Sequence, residues 1–94
     1  MQVKWTRKAL MNLDSAVEYI ARDNPVAAQN TARKIWEASS LLSDHPGIGR
    51  PGRVAGTREL VVEGLPFIMP YVEEAGTIYI LRVMHTSMIW PDGF

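Results

Sequence analysis

His45 to Leu60 reads HPGIGRPGRVAGTREL. Before this stretch apolar residues recur every third or fourth position; after it they recur every second one. The chain therefore changes from helix to sheet across these residues. Four glycines, two prolines and three arginines (Arg50, Arg53, Arg58) crowd into it, with Glu59 as its one carboxylate. Glycine and proline at this density predict a flexible connector that turns between layers. The guanidiniums are the groups best suited to hold a phosphate or carboxylate in a two-pronged grip.

Working towards the N-terminus, Leu10, Leu13, Val17 and Ile20 form one apolar stripe of a helix that Thr6 is placed to cap. Arg22 to Pro25 ends that helix and starts another, with Asn24 as N-cap and Pro25 at the first helical position. Ala28, Ala32, Ile35 and Leu42 continue at helical spacing, flanked by Trp36 and Leu41. The small Ala28 and Ala32 predict close packing as an antiparallel helical hairpin. Ahead of the hairpin, Val3 and Trp5 share one face of a short strand.

Towards the C-terminus lie three strand-like runs, TRELVVE, PFIMPYVEE and TIYILRVMH. GLP and EEAG separate them, both short enough for hairpins. Pro70 cannot donate a ladder hydrogen bond and is expected at a sheet edge or a bulge. The order is β-α-α-β-β-β, an α+β fold with the helical hairpin on one face of a small, mainly antiparallel sheet. Alternation in the last run groups Arg82 with Ile78, Ile80 and Met84, opposite Tyr79, Leu81, Val83 and His85.

With 94 residues, the chain suits a single domain over 1–94 and cannot hold two separate cores. Its 47% apolar content is that of a globular protein. Ten basic and ten acidic residues cancel, so any electrostatic function must come from their placement. The absence of cysteine excludes disulfides and thiolate metal sites and fits a reducing compartment. MQVKWTRKAL lacks a signal-peptide apolar region, and no apolar run approaches the roughly 20 residues of a membrane span. A cytoplasmic protein without membrane contact is expected.

Little in the sequence speaks for a pocket enzyme. His45 and His85 are far apart, and no carboxylates stand at a metal-ligand spacing, so neither metal nor cofactor is expected. GIGRPG follows a helix and lacks the Walker lysine, which argues against nucleotide binding.

The run from HPGIGRPGRVAGTREL through Pro66–Tyr71 to ILRVMH and the closing WP resembles the ParE/RelE superfamily of toxins from type II toxin–antitoxin systems. The first half (Trp5, the AL and LD pairs, then YIARDNPVAA) is similar to the helical hairpin of the same family. The resemblance covers essentially the whole chain. It implies a growth-arresting toxin held silent by a cognate antitoxin from the adjacent gene, with DNA contacted only through the antitoxin complex. RelE-like members cut mRNA in the ribosomal A site with basic residues on the sheet and near the C-terminus. ParE-like members poison DNA gyrase. Positions Phe67 to Met69, where the RelE resemblance would place an arginine, are apolar here, and no Lys or Arg follows Arg82. The RVMHTSM ending is closer to ParE-like chains. The resemblance therefore implies gyrase inhibition, with ribosome-dependent mRNA cleavage as the alternative.

A nuclease would have to draw on Arg53, Arg58, Arg82 and His85, with His85 as the acid or base. A gyrase poison would present Arg50, Arg53, Arg58, Arg82 and Trp90. Loop arginines on the same edge as Arg82 would make a positive patch for an acidic antitoxin segment, nucleic acid or an acidic gyrase surface. The antitoxin is expected across the hairpin and sheet edge, near Trp36, Arg53 and Arg82. The plain structural alternatives are that Arg82 pairs with Glu59 or Glu63, His85 is a hydrogen-bonded structural histidine, and Trp5, Trp36 and Trp90 are core. Met69, Met84 and Met88 would likewise be core filler.

Overall fold

The computed structural model describes residues 1–88 and 93–94. Its elements run β1 (Gln2–Trp5), α1 (Arg7–Ala21), α2 (Pro25–Leu41), β2 (Arg50–Pro51), β3 (Arg58–Val61), β4 (Phe67–Glu74), β5 (Thr77–Ile80) and β6 (Met84–His85). The α+β order holds, with two two-residue strands, β2 and β6, added to it. Trp90 lies outside the described residues.

Both helices start where the caps predict. Thr6 Oγ1 accepts from the Ala9 N–H (3.2 Å) and donates to the Leu81 carbonyl (3.0 Å), so one hydroxyl starts α1 and ties it to the sheet. Asn24 Oδ1 accepts from the Ala27 N–H at 3.0 Å, with Pro25 opening α2. Asn24→Ala is expected to lower stability by about 1 kcal/mol, the usual worth of an N-cap, read as a lower urea midpoint at unchanged slope. On α2 the buried residues Ala28, Thr31, Ile35 and Ser39 follow helical spacing, and Leu42 just beyond is buried too. Ala32 is half-buried. On α1 only Ala9 is fully buried; Leu13, Val17 and Ile20 are half-covered, and Leu10 is 44% exposed. The expected α1 stripe thus leaves apolar surface open.

The sheet order is β1-β5-β4-β3-β2, with β6 also paired to β4. β1 runs parallel to β5, and the other pairs are antiparallel. Val3 and Trp5 sit opposite Ile78 and Ile80. They extend the inward face made by Leu60, Met69, Tyr71, Ile78 and Ile80, against which Ala9, Ile35 and Leu42 pack. The β4–β5 hairpin closes through Ala75 and Gly76, at φ 48° and 80°. Two positive φ values in a two-residue loop match the turn whose twist suits a hairpin, and only Gly76 adopts it without strain.

One irregularity reshapes the C-terminal end. Tyr71 pairs with Ile80, and Ile68 pairs with Met84. Between those pairs Met69 and Pro70 face Leu81, Arg82 and Val83, one residue more on the second strand: a β-bulge. Pro70 explains its position. Its carbonyl accepts from the Leu81 N–H at 2.9 Å, but its nitrogen offers no donor, and the ladder lapses there. TIYILRVMH is therefore two strand pieces, not one. The extra residue reverses the alternation. Ile78 and Ile80 face the helices before the bulge; Val83 joins the same core after it, and His85 pairs with Phe67. The expected grouping of Arg82 with Ile78, Ile80 and Met84 does not survive the bulge.

Candidate functional site

The arginine loop is a closed structure, not a slack connector. Tyr71, buried on β4, donates from its hydroxyl to the Pro46 carbonyl (2.7 Å) and accepts from the Gly49 N–H (2.9 Å). Gly49 is a glycine because of this approach. A Cβ there would lie 2.6 Å from both the Tyr71 hydroxyl and its ring, and 3.0 Å from the Glu59 carbonyl. Further on, the Gly52 N–H donates to the Thr57 carbonyl (2.8 Å), and the Thr57 hydroxyl to that of Val54 (2.6 Å).

Glu59 organises the charges. It is 2% exposed, and its Oε1 accepts from Arg50 Nε at 3.2 Å, with Arg50 Nη2 at 3.1 Å. Its Oε2 accepts from the Arg53 backbone N–H at 2.8 Å. Arg58 turns Nη1 to the Gly49 carbonyl at 2.9 Å. The Arg50 and Arg58 guanidiniums are thus held by acceptors of the loop itself, and all three arginines of the loop remain exposed residues.

Arg82 is placed elsewhere. Its Nε donates to Asn12 Oδ1 on α1 at 3.1 Å, and the same oxygen accepts from the Val83 N–H, also at 3.1 Å. The expected partners do not meet it: Glu59 serves the loop, and Glu63 is exposed in the turn after β3. β4 lies between the loop on β2–β3 and Arg82 in the bulge, so Arg82 does not share an edge with the loop arginines.

Asn12 also lines a groove of about 440 Å³ between the hairpin and the sheet. Ala16, Ile20, Leu65, Phe67, Val83 and Met88 make its wall largely apolar, and Tyr19 and His85 stand on it too. His85 is exposed. Its ring meets Phe67 edge-on at 5.4 Å, and its Nδ1 accepts from the Ser87 N–H at 3.1 Å, with the Ser87 hydroxyl 2.6 Å away. Met69 and Met84 are core, but Met88 is 44% exposed.

Trp36 stacks on Trp5, ring centres 5.2 Å apart, and remains 52% exposed. It stands over β1, at the sheet edge opposite the loop. Trp36, Arg53 and Arg82 therefore span the sheet from one edge to the other. Sequence reasoning gave no site role to Asn12 or Tyr71, and offered Glu59 or Glu63 as the partner of Arg82, whereas Glu59 pairs with Arg50. Among the described residues no group of three or more His, Asp or Glu side chains is placed to hold a metal ion, and no helix is long and apolar enough to cross a membrane.

The fold is a helical hairpin over a bulged mixed sheet, with a largely apolar groove between them. The chain belongs to the ParE toxin family: the family described as "ParE toxin of type II toxin-antitoxin system, parDE" matches residues 3–90. It is similar to the putative toxin Y4kP of Sinorhizobium fredii, at 41% identity over 97% of this chain and 94% of that one. It is also similar to toxin RelE2 of Caulobacter vibrioides, at 35% identity over 94% and 98%. A solved structure titled "Chromosomal ParDE TA system from P. aeruginosa" superposes with a TM-score of 0.83 at 34% identity, covering 90% of this chain and 95% of that one.

Proposed function

We propose that this toxin arrests growth in the cytoplasm by binding DNA gyrase as a non-catalytic poison until its cognate antitoxin covers it. The observation that supports this reading is β4. From Phe67 to Tyr71 the central strand is apolar and buried, so it brings no cation to a reaction centre. Cleaving RNA requires cations to stabilise a crowded phosphate, together with an acid or base in the same cleft. Here Arg50 and Arg58 bond within the loop, β4 separates the loop from His85, and of these candidate cations Arg82 alone, bonded to Asn12, lies on His85's side of β4. A poison needs only a complementary surface, for which the exposed arginine loop is a candidate.

The second reading, a ribosome-dependent endoribonuclease, rests on exposed His85 with the Ser87 hydroxyl beside it. One pair of assays separates the two. Purified toxin is added to gyrase with supercoiled plasmid, and separately to programmed ribosomes. The expected result is accumulation of cleaved gyrase–DNA complex with intact mRNA. Codon-specific A-site cuts that disappear in His85→Ala, with gyrase unaffected, would overturn the proposal.

A further inference from the structure

The guanidinium of Arg82 is held but not used up. Asn12 fixes Nε from one side, and the same amide oxygen pins the bulge N–H of Val83 that follows. The guanidinium plane is thereby set by a side chain on α1. Its two terminal nitrogens make no hydrogen bond or ion pair with the described residues. Arg82 is half-buried, which lowers the cost of desolvating it further and strengthens whatever charge it meets. Four N–H donors, oriented in advance and lacking an internal acid, fit a planar oxyanion.

The surroundings select the oxyanion. Arg82 does not itself line the apolar groove, but Asn12, which holds it, and Val83, which follows it, both do, so a ligand that reaches Arg82 past Asn12 can continue onto Ala16, Ile20, Phe67 and Met88. A nucleic-acid backbone would find little there: the wall is apolar, the chain's net charge is zero, and a buried carboxylate neutralises Arg50. A polypeptide segment with apolar side chains and one acidic residue complements both parts. We infer that Asn12 and Arg82 form a carboxylate fork at the edge of the groove that takes an Asp or Glu side chain of the antitoxin. Asn12 is a positioning residue in this fork, acting through Arg82. The inference rests on an antitoxin occupying the groove.

The test uses the toxin with the antitoxin encoded beside it, titrated by calorimetry at low and high salt. Arg82→Gln is expected to weaken the complex by about tenfold or more, as for a charged hydrogen-bonded pair at an interface, and less at high salt. Asn12→Ala should weaken it several-fold alone and add almost nothing in the Arg82→Gln background. Antitoxin variants that change each Asp to Asn and each Glu to Gln should reveal one position coupled to Arg82. These leave the toxin's fold untouched, so the result stands even where a toxin variant unfolds. A tight wild-type complex that is indifferent to Arg82→Gln, with no coupled acid, would overturn the fork while leaving the antitoxin reading intact. Failure of the wild-type proteins to associate would overturn the antitoxin reading and the fork together. Loss of affinity for a single-stranded RNA in Arg82→Gln, with antitoxin binding unchanged, would assign the fork to phosphate and also overturn the inference.

Discussion

Tyr71→Ala is expected to leave much of the chain unfolded at room temperature. Tyr71 is 1% exposed at the centre of β4 and carries two loads. Its ring fills the core between helices and sheet, and truncating a buried aromatic to alanine costs about 3–5 kcal/mol. Its hydroxyl satisfies the Pro46 carbonyl and the Gly49 N–H, and stranding buried polar groups adds about 1–3 kcal/mol. Small domains hold only about 5–15 kcal/mol in all, so a loss of about 4–8 kcal/mol consumes the stability of a domain at the lower end of that range. Urea unfolding followed by tryptophan fluorescence reads the loss directly. Tyr71→Phe separates the two loads: it keeps the ring and gives up the hydroxyl, for an expected cost of about 1–3 kcal/mol. Wild-type stability in Tyr71→Phe would mean that the hydroxyl does not hold the loop.

Glu59→Ala is expected to cost about 3 kcal/mol and to loosen the loop locally. Removing one member of a buried ion pair costs about 3–5 kcal/mol when its partner is left without compensation. Here the Arg50 side chain is 53% exposed and regains water, which places the cost at the low end. The Arg53 N–H loses its acceptor as well. Glu59→Gln should cost less, since an amide oxygen still accepts one bond. The local effect has its own readout in limited trypsin digestion. Cleavage after Arg53 should be slow in the wild type and markedly faster in Glu59→Ala; the Arg50–Pro51 bond resists trypsin in both. Equal digestion rates would show that the loop's order comes from Tyr71 and Thr57 alone.

The parts legible in the sequence are those whose physics is local. Thr6, Asn24 and Pro25 announce the helix starts because a cap bonds within three residues of itself. EEAG announces the second hairpin because the turn needs positive φ values at two adjacent positions. Pro70 announced a bulge or an edge because a missing donor is a property of the residue alone. Which strand would bulge, and by how much, was hidden. Leu81, Val83 and Met84 are all apolar, so a one-residue slip left no mark on the pattern. The loop misled for the opposite reason. Its glycines suggested slackness, yet the groups that close it, Tyr71 and Glu59, belong to β4 and β3. Asn12 and Arg82 meet across 70 positions of sequence, a pairing no periodicity reports.

The bulge also governs how roles transfer between relatives. On either side of Leu81–Val83 the same parity of residue number points to opposite faces of the sheet. In a relative whose last strand lacks the extra residue, a gapless alignment would match inward-facing positions here with outward-facing ones there, from one flank of the bulge onward. Val83 and His85 would then be compared with residues in the wrong environment, and a histidine against Phe67 could be credited with a task that belongs to the other side. Correspondence across this family is therefore a matter of shared sheet face first and shared column second.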